Sequence, residues 1–132
     1  MKTKTNLFFL FIVLVFIDQI AKYLSVHSIC NKNIAWSIPI ASAIFYLVWI
    51  AIIAVLIYIF LKTSSISQKI FLILIFSGAI SNIVDRIRLG CVVDYIDLKF
   101  WPVFNLADVF ITIGIILLLI LNFKKKKPSP LG

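Results

Sequence analysis

The sequence predicts an all-α membrane protein of four transmembrane helices with both termini cytoplasmic. Three observations carry that expectation: the apolar content, the length of the apolar runs and the placement of the lysines. Hydrophobic residues make up 63% of the 132-residue chain, and its mean hydropathy is +1.15. The runs are too long for the alternation of a strand or the stripe of an amphipathic helix. Segments 7–24, 41–61, 70–87 and 104–123 each approach the roughly 20 residues needed to cross a bilayer core of about 30 Å. Lipid offers no partners to backbone N–H and C=O groups, so each segment satisfies its own as a helix and the four pack as a bundle.

Orientation follows from the cations, because cytoplasmic flanks carry an excess of Lys and Arg. Lys2 and Lys4 precede helix one, Lys62 and Lys69 bracket the connection between helices two and three, and Lys124 to Lys127 follow helix four. The connections 25–40 and 88–103 then face outward. Residues 1–123 read as one four-helix domain and 124–132 as a basic cytoplasmic tail, its end Pro128-Ser129-Pro130-Leu131-Gly132 of disordered composition. The net charge of +8 is therefore a topology and lipid-surface signal, not a nucleic-acid-binding one.

The first segment has the outline of a secretory signal, but Asp18 and Lys22 interrupt it and Ile29, not a small residue, precedes Cys30. It reads as a retained helix. Cys30 and Cys91 both fall in outward connections, where a disulfide is one open reading and two separate thiols are at least as well supported. His27 is the single histidine, and no Cys/His cluster has ligand spacing, so neither metal nor other cofactor is expected.

The five carboxylates are all Asp, and an acid close to hydrocarbon costs about 2.5–3.5 kcal/mol at a helix centre. Asp18 and Lys22 lie four apart on one face of helix one and can neutralise each other. Helix three ends in Ser77-Gly78-Ala79-Ile80-Ser81-Asn82-Ile83-Val84-Asp85-Arg86. Its small residues permit a close helix approach, and Asn82, Asp85 and Arg86 form one polar cluster. Asn105 and Asp108 open helix four, the Asn as N-cap and the Asp three residues on, at the positive end of the helix dipole. Asp94 lies just before that helix on the same outward side. Two such carboxylates at one apolar interface do not both ionise cheaply, so one holds a proton and the other does not. That pair suits amide hydrolysis: the carboxylate takes a proton from water while the acid polarises the scissile carbonyl.

Five motifs in order resemble the lipoprotein signal peptidases, or signal peptidase II. They are Asp18-Gln19-x-x-Lys22, Asn31-x-x-x-Ala35-Trp36-Ser37, Ser77-Gly78-Ala79-x-x-Asn82-x-x-Asp85-Arg86, Gly90-x-Val92-Val93-Asp94-Tyr95-Ile96 and Pro102-x-Phe104-Asn105-x-Ala107-Asp108. Here Asn33, Ser77 and Ser81 stand where the family usually has Gly, and the outward connections are shorter than usual. The resemblance implies a bacterial four-helix aspartic protease with Asp94 and Asp108 catalytic. It implies a supporting or substrate-binding shell of Asp18, Lys22, Asn31, Asn82, Arg86 and Asn105.

By the same resemblance, the substrate is a diacylglyceryl-modified prolipoprotein in the cytoplasmic (inner) membrane. It is cut on the amino side of its lipidated cysteine by a monomer whose active site faces outward. A small extracytoplasmic strand cradle and a flap are further expectations, and Trp36, Phe100 and Trp101 fit an aromatic belt at headgroup level. Two alternatives are an inactive relative that binds lipidated signal peptides and a small proton or ion translocator. The acids cluster on one side of the membrane, against a translocator, and no Gly-x-Ser-x-Gly elbow points to a serine hydrolase.

Overall fold

The computed structural model of the protein describes residues 2–32 and 42–126. The elements run α1 (Lys2–Leu24), β1 (Ile29–Asn31), α2 (Ser42–Lys62), α3 (Ile66–Leu89), β2 (Val92–Asp94) and α4 (Leu106–Lys126). Stretches Asn6–Leu24, Ile66–Leu89 and Leu106–Lys124 are each long and apolar enough to cross a membrane, and Tyr46–Lys62 of α2 forms a shorter apolar helix. Asn33, Ala35, Trp36 and Ser37, the start of the second apolar run and the end of the basic tail lie outside the described residues.

Helix ends depart from the apolar runs where local hydrogen bonding overrides hydropathy. α3 starts at Ile66, a turn before the expected 70, because the Ser65 side chain accepts from the Gln68 backbone N–H as an N-cap. It ends at Gly90, whose φ of 72° lets its N–H reach the Arg86 carbonyl at 3.0 Å. That left-handed conformation is easy only without a Cβ. α4 starts at Leu106, later than the expected 104, because Phe104 pairs with Ile96 in an antiparallel bridge.

α3 is the central helix. It packs most extensively on α4, then on α1, and only sparsely on α2, where Phe60 and Phe76 meet edge to face with centroids 6.2 Å apart. Leu72, Ile73, Ile75, Ser77, Gly78, Ser81, Ile83 and Asp85 are its buried residues. Large apolar side chains on the outer faces, among them Phe8, Phe16, Leu47, Leu61 and Phe123, are exposed, as a lipid-facing surface requires.

The α3–α4 approach is close because two glycines allow it. A Cβ on Gly78 would stand 2.3 Å from the Ala107 carbonyl oxygen and 2.7 Å from Ile111 Cγ1; one on Gly114 would stand 2.7 Å from the Phe71 carbonyl oxygen. Gly78→Ala therefore has to push α4 outward. The substitution is expected to destabilise the protein by about 1–3 kcal/mol, read as a lower unfolding midpoint in detergent. An unchanged midpoint would contradict the contact.

The connections that follow α1 and α3 form a small antiparallel sheet. β1 pairs with β2 in the register Ile29↔Asp94, Cys30↔Val93 and Asn31↔Val92. Cys30 and Cys91 are disulfide-bonded, their Cα atoms 5.5 Å apart, which decides between the two readings open at the sequence level. The strand cradle expected by resemblance is thus present as one short strand pair plus the Ile96–Phe104 bridge.

Candidate active site

The polar residues gather at one end of the bundle, where α1 and α3 finish and α4 begins. Local geometry at the start of α4 comes first. The Asn105 side-chain oxygen accepts from the Asp108 N–H at 2.9 Å, and Asp108 Oδ2 accepts from the Asn105 N–H at 3.2 Å. This reciprocal cap satisfies two backbone donors that a helix start otherwise leaves open. It also fixes the Asp108 carboxylate at the helix mouth. A third start donor, the Ala107 N–H, goes to Asp18 Oδ1 at 2.8 Å.

Asn105 is fully buried and joins the two aspartates. Its Nδ2 donates to Asp94 Oδ1 at 2.8 Å and to Asn82 Oδ1 at 3.0 Å. Asn82 Nδ2 donates to Asp108 Oδ1 at 2.8 Å. Asn31 Nδ2, from β1, donates to Asp94 Oδ2 at 2.9 Å. Each carboxylate is therefore held through both oxygens, by asparagines that carry no charge to neutralise it.

Asp94 is 3% exposed. Burial pushes its carboxyl above the usual carboxylate range, and the charge of Asp108 acts in the same sense. The hydrogen bonds from Asn31 and Asn105 and the charge of Lys22 oppose them. Arg86 lies within electrostatic reach of Asp94, Asp108, Asp85 and Tyr46.

Beneath the pair sits an ionic hub. Lys22 Nζ contacts Asp18 Oδ2 at 2.8 Å, Asp85 Oδ2 at 2.7 Å and Asn82 Oδ1 at 2.9 Å, three acceptors for the three ammonium protons. Ser81 Oγ donates to Asp18 Oδ2 at 2.5 Å, and Gln19 Nε2 donates to Asp85 Oδ1 at 2.9 Å. Asp85 Oδ2 also accepts the Val93 N–H at 3.1 Å, so the hub reaches β2 directly.

All eight residues singled out from the sequence belong to this assembly. Asp94, Asp108, Asn31, Asn82 and Asn105 form its upper layer, Asp18 and Lys22 its base, and Arg86 flanks it. Gln19, Ser81 and Asp85 join them, beyond the site residues expected from the sequence. Asp85 was visible in the same motif as Asn82, but its pairing with Lys22 crosses from α3 to α1. The remaining carboxylate, Asp97, is exposed and pairs with Lys99 at 2.6 Å, away from the network. Leu98, Phe100 and Trp101 are exposed beside it.

Such an arrangement can poise one protonated and one ionised carboxyl around a water, the requirement for hydrolysis without a covalent nucleophile. The fold and the polar end of the bundle define a multi-pass membrane protein with a carboxylate pair, Asp94 buried and Asp108 half-buried.

Comparison with known proteins narrows the class. The profile of the family described as signal peptidase (SPase) II matches residues 9–124. A lipoprotein signal peptidase of Caldicellulosiruptor bescii is 41% identical over 121 residues, 85% of this chain and 81% of its own length. Those of Anaplasma phagocytophilum and Staphylococcus aureus are 36% and 35% identical, over 80% and 81% of this chain and 72% and 70% of their own lengths. Two solved bacterial membrane enzymes superpose with TM-scores of 0.82 and 0.79, at 29% and 27% identity. They cover 97% and 95% of this chain, and 95% of each of theirs. The chain belongs to the signal peptidase II family, and it is a membrane peptidase of the aspartic type.

Proposed function

We propose that this protein removes the signal peptide from diacylglyceryl-modified prolipoproteins, cleaving on the amino side of the lipidated cysteine with water activated by Asp94 and Asp108. The observation that carries this reading is Asn105. One buried side chain donates to Asp94 while its own cap holds Asp108, so the two acids are presented as a unit. They titrate as a coupled pair, one carboxylate accepting a proton from the attacking water and the other acid supporting the developing oxyanion. Collapse of the tetrahedral intermediate expels the amine, which takes up a proton from the pair.

Asn31, Asn82 and Asn105 orient the carboxylates, Arg86 adds positive charge near them, and the Asp18–Lys22 base holds Asn82 and α4 in place. All four helices cross the bacterial cytoplasmic membrane, with both termini inside and the aspartates at the outer interface. There water reaches the site from one side, and an acyl-modified cysteine reaches it from the bilayer. Both acids come from one chain, so a monomer suffices.

Purified protein in detergent or lipid, given a diacylglyceryl-modified prolipoprotein, should release a signal peptide with a mass that places the cut just before the lipidated cysteine. The rate should be unchanged by a chelator, because the two carboxylates supply the proton transfers and the asparagines only hold them in place. Loss of activity with chelator and its return with a divalent ion would overturn the metal-independent mechanism. Absence of cleavage by folded protein across several clients would favour the binding-only relative.

A further inference from the structure

The two strands at the site are not held equally. β2 is secured by the core: the Val93 N–H goes to Asp85, its carbonyl accepts from Asn105 Nδ2 at 3.3 Å, and Val92 and Asp94 are buried. β1 is peripheral, with Ile29 56% exposed and Cys30 exposed. A two-stranded ladder of three residue pairs is marginal in water by itself. Yet β1 carries Asn31, which reaches Asp94 diagonally across the ladder. Because side chains alternate faces along a strand, a slip of one residue would turn Asn31 away from Asp94.

The disulfide sits where it blocks that slip. Cys30 immediately precedes Asn31, and Cys91 immediately precedes Val92, the ladder partner of Asn31. We propose that the Cys30–Cys91 disulfide is a positioning element of the active site, which keeps Asn31 on Asp94 and makes cleavage sensitive to reduction by a dithiol. This inference rests on the peptidase reading above.

The Asn31 hydrogen bond favours ionised Asp94. Asn105 at the N-cap of α4, Asp108 within α4, Lys22 from α1 and Arg86 from α3 also face Asp94, and none of them is carried by β1. The loss of Asn31 therefore raises Asp94 further above the usual carboxylate range. Reduction itself is ordinary thiol exchange. A thiolate of the dithiol attacks one sulfur and forms a mixed disulfide, and the other cysteine leaves and takes up a proton. The second thiol then displaces the first cysteine, so the protein gains two thiols and the reductant becomes a cyclic disulfide.

The test treats the full-length oxidised protein with dithiothreitol, counts thiols by alkylation and mass, and measures prolipoprotein cleavage across pH. Complete reduction should lower kcat/KM about tenfold, the scale of one hydrogen bond to a charged group. It should also move the pH profile set by the coupled Asp94–Asp108 pair upward. A Cys30→Ser/Cys91→Ser variant should match the reduced enzyme with or without dithiol. In Asn31→Ala, reduction should add little, because the two changes remove the same contact. Hydrogen exchange should show β1 amides losing protection on reduction while Val93 keeps its own.

Free thiols in the untreated protein, or a slower reduced enzyme with an unmoved pH profile, would overturn the proposal. So would β1 protection that survives complete reduction. If oxidised wild type cleaves nothing, the peptidase reading fails instead, and the exchange experiment still judges the disulfide.

Discussion

Asp94→Asn and Asp108→Asn are each expected to lower the cleavage rate by about 10²–10⁴-fold, the range that a positioned acid or base contributes. The shape of the site barely changes in either variant, so the loss reports chemistry. Asp94 accepts from Asn105 on one oxygen and Asn31 on the other, and Asp108 accepts from Asn82 and from the Asn105 N–H. An amide in either place puts a donor against a donor, at a cost of about one unsatisfied hydrogen bond, 1–3 kcal/mol. Unfolding midpoints and membrane insertion therefore need to be measured beside the rates. Turnover near wild type in either variant would remove the aspartate pair from the mechanism, whatever the midpoint.

Lys22→Met should lower stability by about 3–5 kcal/mol, because it leaves buried carboxylates without their cation. Both partners are deeply buried, Asp18 at 0% and Asp85 at 2% exposure, and Lys22 itself is 6% exposed. Activity should fall too. Lys22 and Asn105 both donate to Asn82 Oδ1, which turns the Asn82 amide so that its Nδ2 faces Asp108. Lys22→Arg should restore little, since a planar guanidinium does not reach three acceptors arranged for an ammonium. An unfolding midpoint for Lys22→Met equal to wild type would show that the hub does not hold the bundle.

Much of this site was legible because its contacts are local in sequence. The Asp18–Lys22 pair is an i,i+4 contact on one helix, and the Asn105–Asp108 cap is an i,i+3 contact at a helix start. That Asp94 and the start of helix four lie at one end of the bundle was legible from their closeness in sequence, though the buried asparagine that joins them was only a cap in the sequence. The extents of the helices were less well read. Hydropathy reports where lipid lies, while Ser65, Gly90 and the Ile96–Phe104 bridge decide where hydrogen-bonded turns begin and end.

By itself, then, the sequence determined the apolar helices, the cap that fixes Asp108, the acid–base pair on α1 and the order of motifs that marks the family. These are properties of residue type and short spacing, and helical periodicity expresses them directly. The tertiary structure alone decided that Lys22 takes a second carboxylate from α3, that Asn31 reaches Asp94 across 63 residues of sequence and that Cys30 meets Cys91. Those contacts join elements whose relative placement depends on the α3–α4 approach at Gly78 and Gly114 and on a three-residue strand register, and no local pattern records either.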